Sequence, residues 1–287
     1  LGDVYKRQVY MSTVSGATNV HLMSPVAKVG STDYYVFEEA VAAAQSGDTV
    51  TLLADVTPVE KLTLPAGIRL NGCGKQINGY ITAGGDLEFV GHTKVTGFEA
   101  GYTSPIITIG AGACLEINGS GRMVIGHGAT FNITGTITNA KTANPADVMP
   151  SLIMPGASFT GNGVAFNVSN AYIKTTAQYC SSSKSASGTF DFKVENSIWE
   201  QFGKLAFEAQ STAAKVNFNL KDSVLTTTSH LVFGVADGEV IIDNSNVNVA
   251  ASKQIENRSV MIIKNNAVVN GVVATSSNAK NPGTIIC

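Results

Sequence analysis

Five short segments in the second half of the chain alternate apolar and polar residues, and each ends in asparagine or aspartate. These end residues, the anchors, are Asn170, Asn196, Asp222, Asn244 and Asn265. The residues four and two positions before each anchor are apolar, which predicts a strand with one buried face. Successive anchors lie 26, 26, 22 and 21 residues apart. A strand recurring at this spacing predicts a solenoid, in which each coil covers the preceding one.

The residues beside the anchors indicate parallel, in-register stacking. The residues just before the anchors point to the opposite face and are Ser169, Glu195, Lys221, Asp243 and Lys264. Four of them alternate in charge, so parallel stacking would place opposite charges side by side. Asparagine tolerates the left-handed backbone of a sharp corner, and stacked asparagines form hydrogen bonds between coils. The alternative is that asparagine merely ends each strand.

A second repeat lies earlier in the chain. Residues 109–119 (IGAGACLEING) and 125–135 (IGHGATFNITG) match at a distance of sixteen residues, and residues 153–161 are a looser third copy. In the two closer copies a Gly-Ala pair turns the chain and an apolar alternation follows. The shorter spacing predicts either smaller coils or two-strand units, and the sequence leaves both open.

A short amphipathic helix is predicted over about residues 36–46. Phe37, Ala40, Val41 and Ala44 share one face, acidic residues fill the first turn, and Gly47 is a suitable helix stop. A solenoid exposes the core of its first coil unless something covers it, so this helix is expected to be a cap. The predicted fold is therefore an all-β parallel solenoid with a short N-terminal capping α-helix.

The same region carries a family resemblance. Residues 26–57 contain VAKVG, an aromatic pair, EEAVAAA, GDTVTLL and DVT. This pattern resembles the start of right-handed parallel β-helix domains in secreted bacterial surface proteins, within the pectate-lyase-like superfamily. The resemblance implies a right-handed β-helix and an extracellular location, but not lyase activity, because function depends on a site. One departure is Val36, where such sequences often place a serine or threonine cap.

The predicted β-helix does not include the first residues of the chain. Residues 1–8 (LGDVYKRQ) resemble a translated sequencing adapter and are left out of the fold prediction. We expect residues 1–25 to be this artefact plus a disordered or loosely packed lead, and residues 26–287 to form one β-helix. The far end shows no evident cap, so we expect a fragment truncated at its C-terminus, in which a signal peptide is not observable.

Composition excludes several classes of partner. Charged residues make up 14% of the chain and the net charge is −2, so neither a nucleic-acid footprint nor a polybasic membrane surface is indicated. No apolar run approaches the roughly 18 residues of a spanning helix, so membrane insertion is not expected. The four cysteines show no CxxC and no metal-ligand spacing with the histidines. We expect free thiols and no cofactor or metal, with calcium relevant only to a lyase.

No motif predicts catalysis. Gly126-His127-Gly128 resembles a motif of pectin-hydrolysing β-helix enzymes, but the sister repeat has Gly110-Ala111-Gly112 in the same frame. His127 therefore occupies a turn position that alanine also fills, and no aspartate pair accompanies it. Glu195 and Asp243 share a column with Lys221 between them, which indicates a charge ladder instead of an acid-base pair. No catalytic residue is assigned.

The best candidate for binding is the segment at residues 197–208. It carries Trp199, the only tryptophan, together with Phe202 and Phe207. Exposed aromatic rings stack on sugars or anchor a partner, so a carbohydrate or another cell-surface ligand is the expected partner. The alternative, which we favour from sequence, is that these rings pack in the core and in a loop.

Three functions remain open at this stage. The first is a non-enzymatic extracellular module of a bacterial surface protein, either adhesin-like or a structural spacer, with glycan contact as an option. The second is a polysaccharide lyase or glycoside hydrolase of the pectate-lyase-like superfamily. The third is a phage tail receptor-binding fibre, since those fibres also use β-helices. The regular repeat without a catalytic cluster favours the first.

Overall fold

The computed structural model describes residues 9–14, 17–100, 103–118, 123–126, 128–135, 145–176, 180–182, 187–207, 214–234, 237–275 and 283–287. The protein is an all-β parallel solenoid with one short α-helix near the N-terminus, which confirms the predicted fold class. Its coils contribute strands to three sheets that surround one continuous apolar core.

Sheet one contains the anchor strands. Its thirteen strands, in chain order, are Ala27–Val29, Thr32–Tyr34, Thr49–Leu52, Ile68–Asn71, Leu87–Val90, Ile106–Ile109, Thr130–Thr134, Val164–Ser169, Gly188–Glu195, Ala214–Lys221, Glu239–Asp243, Val260–Lys264 and Thr284–Ile286. The first two pair antiparallel at the N-terminal end, and the strands from Thr49–Leu52 onward stack in parallel.

Sheet two follows sheet one across the corner in each coil. Its thirteen strands are Leu62–Leu64, Gln76–Ala83, His92–Ala100, Cys114–Ile117, Met123–Gly126, Ser151–Met154, Ala157–Thr160, Tyr172–Thr175, Cys180–Ser182, Ile198–Gln201, Val224–Thr227, Asn246–Val249 and Val268–Asn270. The sheet forks at His92–Ala100, whose first half pairs with Cys114–Ile117 and whose second half pairs with Met123–Gly126.

The other described elements are a third sheet, an N-terminal hairpin and a 3-10 turn. Sheet three is formed by Leu205–Phe207, Leu231–Phe233, Gln254–Asn257 and Val272–Thr275. A separate antiparallel hairpin joins Val9–Val14 to Ala17–Leu22, and Pro145–Asp147 forms a 3-10 turn. The lead at residues 1–25, expected to be disordered or loosely packed, therefore contains a regular hairpin, whereas residues 1–8 lie outside the described part of the chain.

The anchors are corners between sheets one and two. All five have positive φ, with values of 50° at Asn170, 47° at Asn196, 49° at Asp222, 44° at Asn244 and 54° at Asn265. The amide of Asn196 donates to Oδ1 of Asn170, and the amide of Asn244 donates to Oδ1 of Asp222 at 2.7 Å. The corner prediction is confirmed, because asparagine both accepts this backbone geometry and links neighbouring coils.

The charged column confirms the register. Glu195, Lys221, Asp243 and Lys264 are direct partners on successive strands. The Lys221 ammonium lies 2.6 Å from a Glu195 oxygen, and Lys264 lies 3.4 Å from Asp243. On the inner face the register stacks Phe131, Phe166, Phe192 and Phe218 in one file.

A ladder of buried serines follows the corners and was not predicted. Ser197, Ser223 and Ser245 each come directly after an anchor and are at most 3% exposed. The hydroxyl of Ser223 accepts the backbone N–H of Ser197 at 3.0 Å and donates to the Lys221 carbonyl at 2.6 Å. Ser245 repeats both bonds one coil later. These hydroxyls satisfy backbone N–H groups at the corner, where regular strand pairing is interrupted.

The sixteen-residue repeat does not correspond to one coil stacked on another. Its first copy forms Cys114–Ile117 in sheet two, whereas its second forms Thr130–Thr134 in sheet one. The strand aligned with Phe131 is instead that of Ile107, 24 residues earlier. The smaller-coil alternative is therefore wrong, because a Gly-Ala turn before an apolar alternation starts a strand in either sheet.

The capping helix is shorter than predicted. It spans Phe37–Ala43 and buries the expected face, including Phe37, Ala40 and Val41. Ala44 is also buried, although its extended backbone already ends the helix. Val36 at the N-cap makes no side-chain cap hydrogen bond, as its apolar side chain dictates.

Candidate binding groove

The aromatic segment at residues 197–208 does not form an exposed platform. Trp199 is 0% exposed and Phe207 is 1% exposed, while Phe202 is 44% exposed. Trp199 packs against Phe166 and Phe218 in the core. The alternative of core packing therefore holds for Trp199 and Phe207, and the expectation of a three-ring binding surface is corrected to one exposed ring at Phe202.

The outer face of sheet two brings titratable side chains together instead. Parallel register places Lys94, Glu116, Ile153, Lys174 and Glu200 in one outward file. The same register places His92, Cys114, Ser151 and Tyr172 in the neighbouring outward file. Between these files lies a cavity of about 440 Å³, lined by His92, Gly112, Cys114, Ala146, Ile153, Tyr172 and Lys174. This cavity, with Glu116 and Glu200 beside it, is the sheet-two groove.

One end of the groove is organised by a histidine-carboxylate hydrogen bond. Nε2 of His92 lies 2.7 Å from a carboxylate oxygen of Glu116, on the next strand. The two side chains are 40% and 25% exposed, so solvent reaches both. The pair fixes the imidazole against the groove wall and occupies one oxygen of the carboxylate.

The other end of the groove is organised by a phenol-carboxylate hydrogen bond. The Tyr172 hydroxyl donates to Oε2 of Glu200 at 2.7 Å. Burial and this bond to a carboxylate raise the pKa of Tyr172 above its ordinary value. Tyr172 therefore stays protonated at neutral pH, holds Glu200 in place and is a poor general base.

Cys114 lies on the groove wall between these two pairs. Burial, and secondarily the negative charge of Glu116, raise the pKa of its thiol to about 12, although Lys94 acts in the opposite direction. A thiol with this pKa is almost entirely protonated at neutral pH and is therefore not an activated nucleophile.

Lys174 connects the groove to the exposed aromatic ring. Its ammonium lies 5.5 Å from the centroid of the Phe202 ring, within the range of a cation-π contact. Phe202 follows the strand Ile198–Gln201, and its backbone N–H donates to the Thr175 carbonyl at 2.8 Å. The ring is thereby held at the edge of sheet two, beyond Lys174.

The 3-10 turn Pro145–Asp147 forms one wall of the groove. Between Thr130–Thr134 and Ser151–Met154 the chain includes the 3-10 turn Pro145–Asp147, whose Ala146 lines the cavity. The Gly135 and Ser151 ends of this connection are 16 residues apart, whereas Ser169 and Tyr172 are joined by a two-residue corner. Insertions of this kind in solenoids commonly carry the binding face.

Two other grooves contain carboxylates that already accept hydrogen bonds. A cavity of about 750 Å³ lies beside the capping helix, but its Glu38 and Asp55 accept backbone N–H groups of Val59 and Gln76. Their carboxylates are thus engaged in holding the cap. A cavity of about 480 Å³ on sheet one includes Asp191, which accepts a hydrogen bond from Asn217.

The sequence raised His127, Glu195 and Asp243 as candidates for catalysis. His127 lies outside the described residues, and Glu195 and Asp243 are both paired with lysines. Within the described ranges no group of three or more His, Cys, Asp or Glu side chains is arranged to hold a metal ion. None of the described helices has the length and apolarity needed to cross a membrane.

Comparison of the chain with protein-family models, with curated proteins and with solved structures gives no match. Functional assignment therefore depends on the geometry of the groove and on the surface of the solenoid.

Proposed function

We propose that this chain is a non-enzymatic extracellular module of a bacterial surface protein, adhesin-like or a structural spacer. In this proposal residues 26–287 form one right-handed β-helix of the pectate-lyase-like superfamily. The pattern at residues 26–57, with its capping helix and first strand, supports the superfamily and the location. The stacked parallel sheets support a rod-like, load-spanning role, because every coil is bonded to its neighbours along the axis.

The spacing of carboxylates carries the non-enzymatic part of the proposal. Glu116 and Glu200 are separated by three strand steps in the outward file, or roughly 14 Å at about 4.8 Å per step. Carboxyl pairs of glycoside hydrolases lie roughly 5–9.5 Å apart. Each carboxylate also bonds a partner on the strand before it, so the two lean in the same direction and do not converge.

Two groups on the groove wall also argue against an elimination site. Tyr172 has a raised pKa and Cys114 has a pKa of about 12, so neither is poised to abstract a proton at neutral pH. For a lyase or hydrolase to use Tyr172 or Cys114 as a base, substrate binding would have to change their surroundings and lower their pKa values.

A depolymerisation assay tests the proposal. The purified chain is incubated with neutral and uronic-acid polysaccharides, with and without calcium, and new reducing ends and unsaturated products are measured. We expect no release above that of heat-denatured protein. Release that disappears in the Glu116→Gln/Glu200→Gln double variant, with its circular dichroism unchanged, would assign an enzymatic role and refute the proposal.

A further inference from the structure

We propose that the sheet-two groove binds an uncharged, polyhydroxylated ligand, namely a segment of a neutral glycan, lying across the strands from His92 to Phe202. The inference deepens the proposed function, because an adhesive module requires a ligand. It stands on three features of the groove: its position on the solenoid, its balance of charge, and its combination of polar groups with exposed apolar surface.

The position of the groove favours a ligand. A cavity of about 440 Å³ is within the range of sites that bind small ligands. It lies where the regular coil is interrupted by the connection through Pro145–Asp147, so one side is walled by a turn and the floor is a flat sheet. Part of the outer surface on the C-terminal coils is occupied by side-chain ladders that bond to each other, such as Lys221 with Glu195.

The charges of the groove balance. Lys94 and Lys174 contribute two positive charges, and Glu116 and Glu200 contribute two negative charges, in one outward file. A carboxylate or phosphate ligand attracted by the lysines would be repelled by the glutamates at similar distance, and a cation would meet the reverse. An uncharged ligand avoids both penalties.

Hydroxyl groups match the polar atoms that the groove offers. A hydroxyl donates one hydrogen bond and accepts two, so neighbouring hydroxyls bridge carboxylate acceptors and ammonium donors. His92, Tyr172 and Lys174 line the cavity from different strands, and the Glu116 carboxylate lies beside them through its bond to His92. Acceptors and donors placed side by side suit a ligand with many hydroxyl groups better than an apolar ligand.

Apolar surface completes the match. Ile153 lies in the file between Glu116 and Lys174 and lines the cavity floor. The Phe202 ring is 44% exposed at the far edge. Sugar rings have apolar faces that pack on such surfaces. From the strand of His92 to the strand Ile198–Gln201, which Phe202 follows, there are four strand steps, roughly 19 Å, so the site suits several linked residues instead of a monosaccharide.

Calorimetric titration with defined oligosaccharides tests the inference. The probes are neutral hexasaccharides of glucan, mannan, galactan, xylan and chitin type, and acidic hexasaccharides of galacturonate and alginate type. We expect at least one neutral probe to bind and the acidic probes to bind more weakly. Glu200→Gln is expected to weaken binding of the neutral probe about tenfold, and Phe202→Ala about threefold to tenfold.

Two controls separate loss of the groove from loss of the fold. Glu39→Gln makes the same chemical change at an exposed position of the capping helix and is expected to leave affinity unchanged. Lys174→Met keeps an aliphatic chain beside Phe202 while removing the donor, so it is expected to weaken binding with the thermal unfolding midpoint preserved.

The outcomes distinguish this inference from the proposed function. Binding of no neutral probe, or binding that is insensitive to Glu200→Gln and Phe202→Ala, overturns the groove assignment. Binding of acidic probes alone overturns the neutral chemistry and leaves the non-enzymatic module intact. Cleavage of a neutral probe that depends on the groove supports the ligand class and overturns the non-enzymatic function.

Discussion

Replacing Asn196 by alanine and by glycine separates two contributions to the stability of the solenoid corner. Asn196 has φ of 47°, and its side-chain amide donates to Oδ1 of Asn170 in the preceding coil. Both substitutions remove that hydrogen bond. Only alanine keeps a Cβ in the left-handed region, so the difference between the two variants reports backbone strain.

The magnitudes follow from the geometry. Left-handed backbone costs an alanine roughly 1–2 kcal/mol, and loss of one hydrogen bond costs about 1 kcal/mol. We therefore expect Asn196→Ala to lower the free energy of unfolding by about 2–3 kcal/mol. Asn196→Gly should cost about 1 kcal/mol less, because relief of strain exceeds the extra entropy that glycine gives the unfolded chain.

Urea unfolding, followed by circular dichroism and by the fluorescence of Trp199, measures these values. Trp199 lies in the strand that follows the corner and is fully buried, so it reports on the affected coil. Asn246→Ala is the matched control, because Asn246 is exposed within the strand Asn246–Val249 and should cost less than about 0.5 kcal/mol. Equal costs for alanine and glycine would refute the strain argument, and costs equal to the control would refute the corner ladder altogether.

Three further predictions concern buried and paired groups. Ser223→Ala leaves the backbone N–H of Ser197 without its acceptor and should lower the free energy of unfolding by about 1–3 kcal/mol in the same urea assay. The pKa of Cys114 is about 12, so at neutral pH Cys114 in the native protein should label more slowly with a thiol reagent than the exposed Cys73, as peptide mapping would measure. Stability should fall as pH rises from 9.0, where the unfolded thiol ionises but the folded one does not. A hydrogen bond from Asn265 lowers the pKa of Asp243; desolvation opposes this shift and a neighbouring lysine assists it. The stabilisation from Asp243 is therefore present above its unfolded pKa of 3.8 and is lost as pH falls through the folded pKa. Urea unfolding across acidic pH should therefore show wild type and Asp243→Asn converging, and parallel pH curves would contradict this.

Much of sheet one could be predicted because its pattern repeats with little change. Anchors in five successive coils share a positive φ and the flanking alternation, so each copy supports the others. Sheet three was missed although the sequence carries a signal for it. The apolar runs Leu205–Phe207 and Leu231–Phe233 are 26 residues apart, the same interval that separates Asn196 from Asp222. Three-residue strands are too short for alternation, so only this spacing reveals them.

The groove could not be predicted, since its residues have no common period. Glu116 could be placed on an outer face from its apolar neighbours, but its strand pairs with Ser151–Met154, 37 residues later. That interval contains the 3-10 turn Pro145–Asp147, which no anchor marks. Local alternation decides whether a side chain points outward, whereas the partner on the next coil depends on the length of every intervening turn.

The burial of Trp199 shows that counting from the anchors constrains function as well as fold. The residues three positions after the first four anchors are Ile173, Trp199, Leu225 and Val247, and all are at most 1% exposed. They are direct partners on sheet two, so one inward position requires the others to be inward. Phe202 is six positions after its anchor, beyond the strand, and escapes this constraint. A solenoid therefore keeps its inward aromatics for the core, and a ligand is left with the rings and charges at outward positions and turns, which is where the sheet-two groove collects them.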